Sequence, residues 1–226
     1  ASDFLQRLRD ALDQLGSATA PAQTPLPFVG GLIGYLSYDF GRRLEHMPHD
    51  AVDDLGLADT QFGLYAWALV SDHHLQRSHL VFHPRFDEAE RQRLIRLFSQ
   101  PTTARADDPF QLLGPFQADL DAATYQAAIE RIQAYIQAGD CYQVNFAQRF
   151  RAACRGDAWR AYQALRAACP TPFAGFLQRP DGASILSLSP ERFLRVHENQ
   201  VETRPIKGTR PRGATPQEDS QLAEEL

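Results

Sequence analysis

The sequence predicts an α+β fold, in which helices pack on antiparallel sheets. The main indication is a series of short strands separated only by turns, such as 173–178 and 183–188, which a Pro-Asp-Gly turn joins. A second pair, at 193–196 and 201–204, has similarly close spacing. Strands joined by so short a connection run antiparallel. Helical segments between the strand pairs complete the α+β pattern.

The first half of the chain contains two predicted helices and three predicted strands. Apolar residues at helical spacing predict a helix over 3–15. Asp87 and Glu90 form a capping box that begins a second helix, which ends near Phe98. The strands are predicted over 28–39, 62–70 and 78–83, with a turn around Ser71-Asp72 between the last two.

Three glycines in the first predicted strand, Gly30, Gly31 and Gly34, invite comparison with a nucleotide-binding loop. No Lys-Ser or Lys-Thr follows them, and their spacing does not match the dinucleotide-binding pattern. Close approach of neighbouring backbones inside a sheet explains them better.

An irregular connection over 100–117, which contains three prolines, divides the chain. We therefore expect two parts, an N-terminal α+β part at 1–117 and a second part at 118–226. The predicted elements of the second part are a helix that ends at Gly139, a strand over Cys141–Arg151, a helix that begins at Asp157, and the strand pairs named above.

Composition excludes several classes of protein. The 226 residues carry 23 Lys and Arg against 28 Asp and Glu, a net charge of −5, which does not suit non-specific nucleic-acid binding. No apolar run approaches the roughly 20 residues that span a bilayer, so we expect no membrane association. Cys141, Cys154 and Cys169 are odd in number and widely spaced, which indicates reduced thiols in a cytoplasmic protein.

A helix is predicted to begin close to the last residue. Thr215-Pro216-Gln217-Glu218 combines a capping threonine, a proline at the first helical position and a glutamate at the third. Leu222 and Leu226 then share one helical face. The simpler interpretation is a short terminal helix. We favour the expectation that these residues are part of a longer protein.

The predicted hairpin at 193–204 brings two chemically useful side chains to one end. Pairing Val196 with Val201 sets Arg195 opposite Glu202, and a slip by one residue gives worse pairs. The same register places Glu191 opposite Ile206, one residue before Lys207. Prolines next to both positions interrupt the ladder, so alternation does not fix the side-chain directions.

Such a carboxyl and amine suit covalent catalysis. A lysine with a lowered pKa is a nucleophile, and a glutamic acid kept protonated can protonate a leaving group. Nearby Arg204, Arg210 and Arg212 suit a ligand that bears carboxylates. On spacing alone, a surface ion pair beside a solvated basic loop is the simpler interpretation.

The motifs of this region resemble those of the chorismate-utilising enzymes. Ser-Pro-Glu-Arg-Phe at 189–193 and Pro-Ile-Lys-Gly-Thr at 205–209 are similar to the family signature. The resemblance continues in 28–39, in 139–145 and in Pro172-Phe173-Ala174, so it covers nearly the whole chain. It implies a two-layer α/β sandwich of antiparallel sheets that is incomplete in this chain, with the active site in a cleft. It also implies that 118–226 is the start of the chorismate-binding catalytic region, truncated at its C-terminus.

The resemblance is strongest to the folate-pathway branch and implies a role for each site residue. Lys207 would attack C2 of chorismate as the C4 hydroxyl departs, with Glu191 as its general acid. Ammonia would then add at C4 and expel the lysine, which yields 4-amino-4-deoxychorismate. Gly208, Thr209 and Arg204 would bind the substrate. Relatives that make anthranilate or salicylate usually carry alanine in place of this lysine.

The resemblance also implies partners and a cofactor. A glutamine amidotransferase subunit would supply the ammonia, and Mg²⁺ would be bound by residues downstream of Leu226, so no metal ligand is expected in this chain. Pro172, Phe173 and Ala174 match a segment that lines a tryptophan pocket in relatives, although a strand start in the core explains them equally well. The isolated chain is expected to have no synthase activity.

Two other functions stay open at this point. The first is an anthranilate synthase component I with an unusual lysine. The second is a non-catalytic module that keeps the scaffold and a tryptophan-like pocket.

Overall fold

The chain consists of two compact units, Ala1–Ala104 and Arg105–Leu226. The structure is a computed structural model, and it describes residues 2–18, 26–48, 52–101, 108–206 and 210–225. The division expected after residue 117 lies later in the chain than the boundary between the two units. Two short strands, at 111–112 and 117–118, pair with strands at 154–155 and 150–151 and so belong to the second unit.

Among its described residues, the first unit contains two α-helices, a 3₁₀ helix and two antiparallel strand pairs. The 3₁₀ helix, Tyr38–Arg43, occupies the end of the segment predicted as the first strand, and Ser37 begins it by accepting a hydrogen bond from Phe40 N at Oγ. The other elements are α1 (Ser2–Leu15), β1 (Gly31–Leu36), β2 (Thr60–Tyr65), β3 (Trp67–Asp72), β4 (Arg77–Phe82) and α2 (Glu88–Ser99).

The glycine-rich segment forms a close backbone contact, as predicted. Strands β1 and β2 pair antiparallel, and Gly34 lies opposite Phe62. A Cβ atom at Gly34 would overlap the carbonyl oxygen of Gln61 and would lie 2.7 Å from the Cα of Phe62. Only glycine fits this position without displacing the partner strand.

The segment predicted as one strand over 62–70 belongs to two strands, β2 and β3. The turn predicted around Ser71-Asp72 was also wrong. The strand is interrupted at Ala66, whose carbonyl accepts a hydrogen bond from His83 N at 2.7 Å. The turn lies after Asp72 because the Asp72 carboxylate accepts hydrogen bonds from the backbone N–H groups of His74 and Leu75, both at 2.9 Å. An aspartate that bonds its own following backbone initiates a turn.

The second unit contains three helices and eight strands among its described residues, and every strand pair is antiparallel. The strands are β5 (Gln111–Leu112), β6 (Gln117–Ala118), β7 (Phe150–Arg151), β8 (Cys154–Arg155), β9 (Phe173–Gln178), β10 (Ser184–Ser189), β11 (Arg195–His197) and β12 (Gln200–Glu202). The helices are α3 (Ala122–Ala138), α4 (Ala158–Ala168) and α5 (Pro216–Glu224).

Helix boundaries in this unit follow the predicted signals. Asp157 caps the first turn of α4, and Gly139 ends α3 in the left-handed conformation at φ 83°, both as predicted. Asp121 caps the first turn of α3 and was not among the predicted caps. The threonine at 215 accepts a hydrogen bond from Glu218 N and begins α5, as its capping sequence predicted. Leu226 lies outside the described residues.

The strand predicted over Cys141–Arg151 was wrong except at its end. Only Phe150–Arg151 is a strand, and Tyr142 is 92% exposed. Alternation of apolar and polar residues gives a segment one apolar face, but a strand also needs a partner for its backbone groups. Among the described residues, no strand pairs with residues 141–149.

The most deeply buried polar side chain described is His83, which is 1% exposed and joins the end of α1 to the chain after β4. Its Nδ1 accepts a hydrogen bond from Arg85 N at 3.2 Å. The neutral ring therefore carries its proton on Nε2, which donates to the carbonyl oxygen of Gly16 at 3.2 Å. Phe4 of α1 packs on Phe40 and Phe62, with ring centroids 5.0 and 6.0 Å away.

We expect His83→Phe to lower the free energy of unfolding of the first unit by about 1–3 kcal/mol, because it leaves the carbonyl of Gly16 and the N–H of Arg85 without partners. Urea denaturation of the whole protein, with the tryptophan in β3 as probe, measures the change. His74→Phe, on an exposed turn, is the matched control and should change it by less than about 0.5 kcal/mol. Equal effects of the two variants would contradict the role given to His83.

Candidate functional site

The candidate site is built on the hairpin of β11 and β12, in the predicted register. Val196 pairs with Val201, and Arg195 lies opposite Glu202. Glu198 and Asn199 form the two-residue turn, both with left-handed backbone at φ 48° and φ 65°. Two successive left-handed residues match the twist of a tight antiparallel hairpin. The turn therefore fixes which residues meet at the open end.

At that open end, Glu191 contacts the backbone of Ile206. The N–H of Ile206 donates to Oε1 of Glu191 at 3.2 Å, so the predicted approach of the two segments is present. The contact is made by a side chain because Pro190 and Pro205 have no N–H to extend the ladder. Glu191 thus bonds to the residue that directly precedes Lys207 in the sequence.

The backbone of Glu191 is held by Ser189, the last residue of β10. The N–H of Glu191 donates to Ser189 Oγ at 3.2 Å, and the Ser189 hydroxyl donates to the carbonyl oxygen of Glu191 at 2.9 Å. Sequence reasoning did not identify this contact. The Ser-Pro dipeptide was the available signal, because serine hydroxyls often bond the backbone two residues ahead.

Glu191 is one of the residues that line an open cavity of ≈ 330 Å³. Phe193 in its wall is 87% exposed, and the hydroxyl of Thr203 donates to the Phe193 carbonyl at 3.2 Å. The cavity combines an acidic group, an exposed aromatic ring and the guanidinium-bearing Arg192. Acidic, basic and aromatic residues therefore occur together around one opening.

Three predicted site residues, Lys207, Gly208 and Thr209, lie outside the described residues. Arg204 is described, and its Nη2 donates to Glu202 Oε2 at 2.9 Å. Arg192 approaches Oε1 of the same carboxylate at 3.5 Å, so Glu202 lies between two guanidinium groups. Sequence reasoning missed this shared carboxylate, although strand alternation places 202 and 204 on one face.

The residues predicted to line a tryptophan pocket lie where β9 begins. Phe173 pairs with Ser189 and Ala174 with Leu188, and Pro172 directly precedes them. The guanidinium of Arg192 stacks on the Phe173 ring at 5.1 Å from its centroid. The candidate pocket segment and the candidate acid are therefore joined through neighbouring residues of one ladder. A role in tryptophan binding stays a prediction.

A second, larger cavity of ≈ 530 Å³ lies where α4 begins. Trp159 and Phe176 form its aromatic wall, and their rings make an edge contact with centroids 5.2 Å apart. None of the predicted site residues is among the described residues that line it.

Beyond residues 207–209, which the structure does not describe, Arg212 and Asp219 form an ion pair, here called the clamp, at the start of α5. Arg212 donates three hydrogen bonds to the Asp219 carboxylate, two from Nε and one from Nη2, the shortest at 2.6 Å. The N–H of Gly213 donates to the same carboxylate at 2.9 Å. The Arg212 guanidinium, and then the Gly213 N–H, hold the pKa of Asp219 below its ordinary value. Arg212, a candidate for ligand carboxylates, is engaged in this pair.

Within the described ranges, no three His, Cys, Asp or Glu side chains come together as metal ligands. None of the described helices is both long enough and apolar enough to cross a membrane.

The fold matches that of a solved structure. Anthranilate synthase component I from Streptococcus pneumoniae superposes with a TM-score of 0.77 at 24% sequence identity, covering 98% of this chain and 49% of the other. The α+β architecture with antiparallel sheets, predicted above, is therefore confirmed.

The sequence comparisons are more specific. The family model described as chorismate binding enzyme matches residues 1–226, and the chain belongs to this family. Aminodeoxychorismate synthase component 1 of Salmonella typhimurium is 43% identical over 224 residues, and that of Escherichia coli is 41% identical over 224 residues. Each alignment covers 99% of this chain and 48% of the relative.

Anthranilate synthase component 1 of Thermus thermophilus is 38% identical over 203 residues, which cover 88% of this chain and 44% of the relative. The chain thus spans about half the length of the curated relatives it matches.

The clamp between Arg212 and Asp219 gives a pH-dependent prediction. A lowered pKa means that the ionised carboxylate stabilises the fold above its unfolded pKa of about 4, and that this contribution is lost as the pH falls through the lower, folded value. We expect Asp219→Asn to speed hydrogen exchange in 210–225 at pH 7 and to match the unchanged protein at about pH 2.

Hydrogen-exchange mass spectrometry of the whole protein, with variant and unchanged protein compared at each pH, measures this effect. Glu224→Gln, a carboxylate on the exposed side of the same helix, is the control and should have little effect at either pH. A difference that persists undiminished at low pH would contradict the electrostatic origin.

Proposed function

We propose that the whole protein converts chorismate and ammonia into 4-amino-4-deoxychorismate. The observation that carries the proposal is the hydrogen bond from Ile206 N to Glu191 Oε1, which brings the candidate acid to the segment that bears Lys207. Relatives named aminodeoxychorismate synthase component 1, at 41% and 43% identity, support it.

Glu191 is the general acid in this proposal. Its exposed side chain borders the open cavity, so a bound substrate has access to it. One carboxyl oxygen accepts the N–H of Ile206, which leaves the other oxygen to carry the proton. The acid then donates that proton to the C4 hydroxyl of chorismate, which leaves as water.

Lys207 is the nucleophile. Its neutral amine forms a bond to C2 of chorismate while the ring double bonds shift and the C4–O bond breaks, and the amine loses a proton after the attack. Ammonia then forms a bond to C4, the double bonds shift back, and the C2–N bond to lysine breaks as the lysine nitrogen takes up a proton and the added nitrogen gives one up. The enzyme is regenerated and the product carries an amino group at C4.

The remaining parts of the proposal concern substrate binding and partners. Gly208, Thr209 and Arg204 bind the substrate, a glutamine amidotransferase subunit supplies ammonia, and a magnesium ion is held by residues outside this chain. A cytoplasmic location fits the three free thiols, Cys141, Cys154 and Cys169. The family resemblance supports these parts.

The reaction product distinguishes this proposal from anthranilate synthesis. We expect the whole protein, given chorismate, ammonia and magnesium, to release 4-amino-4-deoxychorismate, with a lysine adduct detectable by intact mass. Lys207→Ala should abolish the adduct. Glu191→Gln should lower kcat by about 100-fold or more, the usual contribution of a general acid. Chromatography of the products and intact-protein mass spectrometry provide the measurements.

Glu198→Gln is the matched control, because it removes a carboxylate from the opposite end of the same hairpin, and its activity should stay within about twofold of the unchanged protein. Anthranilate as the product would favour the function of the Thermus relative. Full activity in a protein carrying both Lys207→Ala and Glu191→Gln would refute the assigned roles.

A further inference from the structure

The hydroxyl of Ser189 occupies a special place between a regular ladder and the candidate acid. Ser189 is the last residue of β10 and pairs with Phe173 at the end of a six-pair ladder. Beyond it the regular pairing stops, and it resumes only at Arg195. Glu191 lies in this gap, so ladder hydrogen bonds do not fix the direction of its side chain.

A single side chain replaces those ladder bonds. Ser189 Oγ accepts the N–H of Glu191 at 3.2 Å and donates its proton to the carbonyl of the same residue at 2.9 Å. Both backbone groups of Glu191 are thereby bonded to an atom that the β9–β10 ladder holds in place. The intervening Pro190 has a restricted φ, which leaves this short loop few other conformations.

We propose that Ser189 is a positioning residue for the general acid, an inference that rests on the proposed function. Its hydroxyl extends the rigidity of the β9–β10 ladder to Glu191 and aims the carboxyl at the Ile206 N–H. Ser189 does not itself touch the substrate. Catalysis depends on it because a displacement of about 1 Å in a catalytic group costs up to about 100-fold in rate.

Loss of the hydroxyl has a defined consequence. In Ser189→Ala the N–H and carbonyl of Glu191 bond to water instead, and the carboxyl samples orientations away from Ile206. The acid remains chemically intact but is correctly placed for a smaller fraction of the time. Ser189→Thr keeps a hydroxyl at the same position and is compatible with extended backbone.

The first measurement reports the contact without any catalysis. In the whole protein labelled with ¹⁵N-isoleucine, the Ile206 amide, assigned by its loss in Ile206→Val, should shift with pH as the carboxyl of Glu191 titrates. We expect this shift to disappear in Glu191→Ala and to fall at least twofold in Ser189→Ala. Ser189→Thr should restore it. Ser187→Ala, on the same face of β10, is the matched control and should leave it unchanged.

The second measurement is kinetic and uses a double-mutant cycle. We expect Ser189→Ala to lower kcat for 4-amino-4-deoxychorismate formation by about 10-fold to 100-fold, with Ser189→Thr recovering most of it. In a protein that already carries Glu191→Gln, Ser189→Ala should change kcat by less than about twofold, because the acid it positions is absent.

The two measurements separate the possible failures. An unchanged Ile206 titration in Ser189→Ala overturns the positioning role, whatever the product. A multiplicative loss of kcat in the double variant also overturns it, because the serine then acts independently of Glu191. If the protein makes no 4-amino-4-deoxychorismate but the Ile206 titration responds as expected, the proposed function fails while the contact from Ser189 to Glu191 and Ile206 stands.

Discussion

The register of the hairpin formed by β11 and β12 is the constraint on which the candidate site depends. A two-residue turn of left-handed residues, Glu198 and Asn199, fixes how the strand before it pairs with the strand after it. That pairing sets Glu191 opposite Ile206, and a slip of one residue would separate them. The turn at the closed end of the hairpin therefore determines which residues meet at its open end.

Charge is distributed so that the guanidinium groups of the site are held by carboxylates. Glu202 lies between Arg192 and Arg204, and Asp219 bonds Arg212. These pairs are partly or largely exposed, so each contributes little to stability. Glu191 differs from the other two carboxylates, because the contact described for its side chain is a backbone N–H.

The sequence predicted the parts of the structure that local rules determine. Helix caps at Asp87, Asp157 and Thr215 and the Val196–Val201 pairing are short-range features, and the structure confirms them. The strand over Cys141–Arg151 failed because alternation reveals a face but not a partner. The contact of Ser189 with Glu191 was missed because it depends on where the β9–β10 ladder ends, which residue types alone do not show.

The prolines on either side of the site have a consequence for behaviour in a crowded solution. An exposed strand edge carries unpaired N–H and C=O groups. A strand of another molecule can pair with these groups, which leads to aggregation. Pro190 and Pro205 remove the donor at both strands just where the hairpin opens. The open end of the hairpin can thus stay accessible to a small molecule while offering a poor template to another polypeptide.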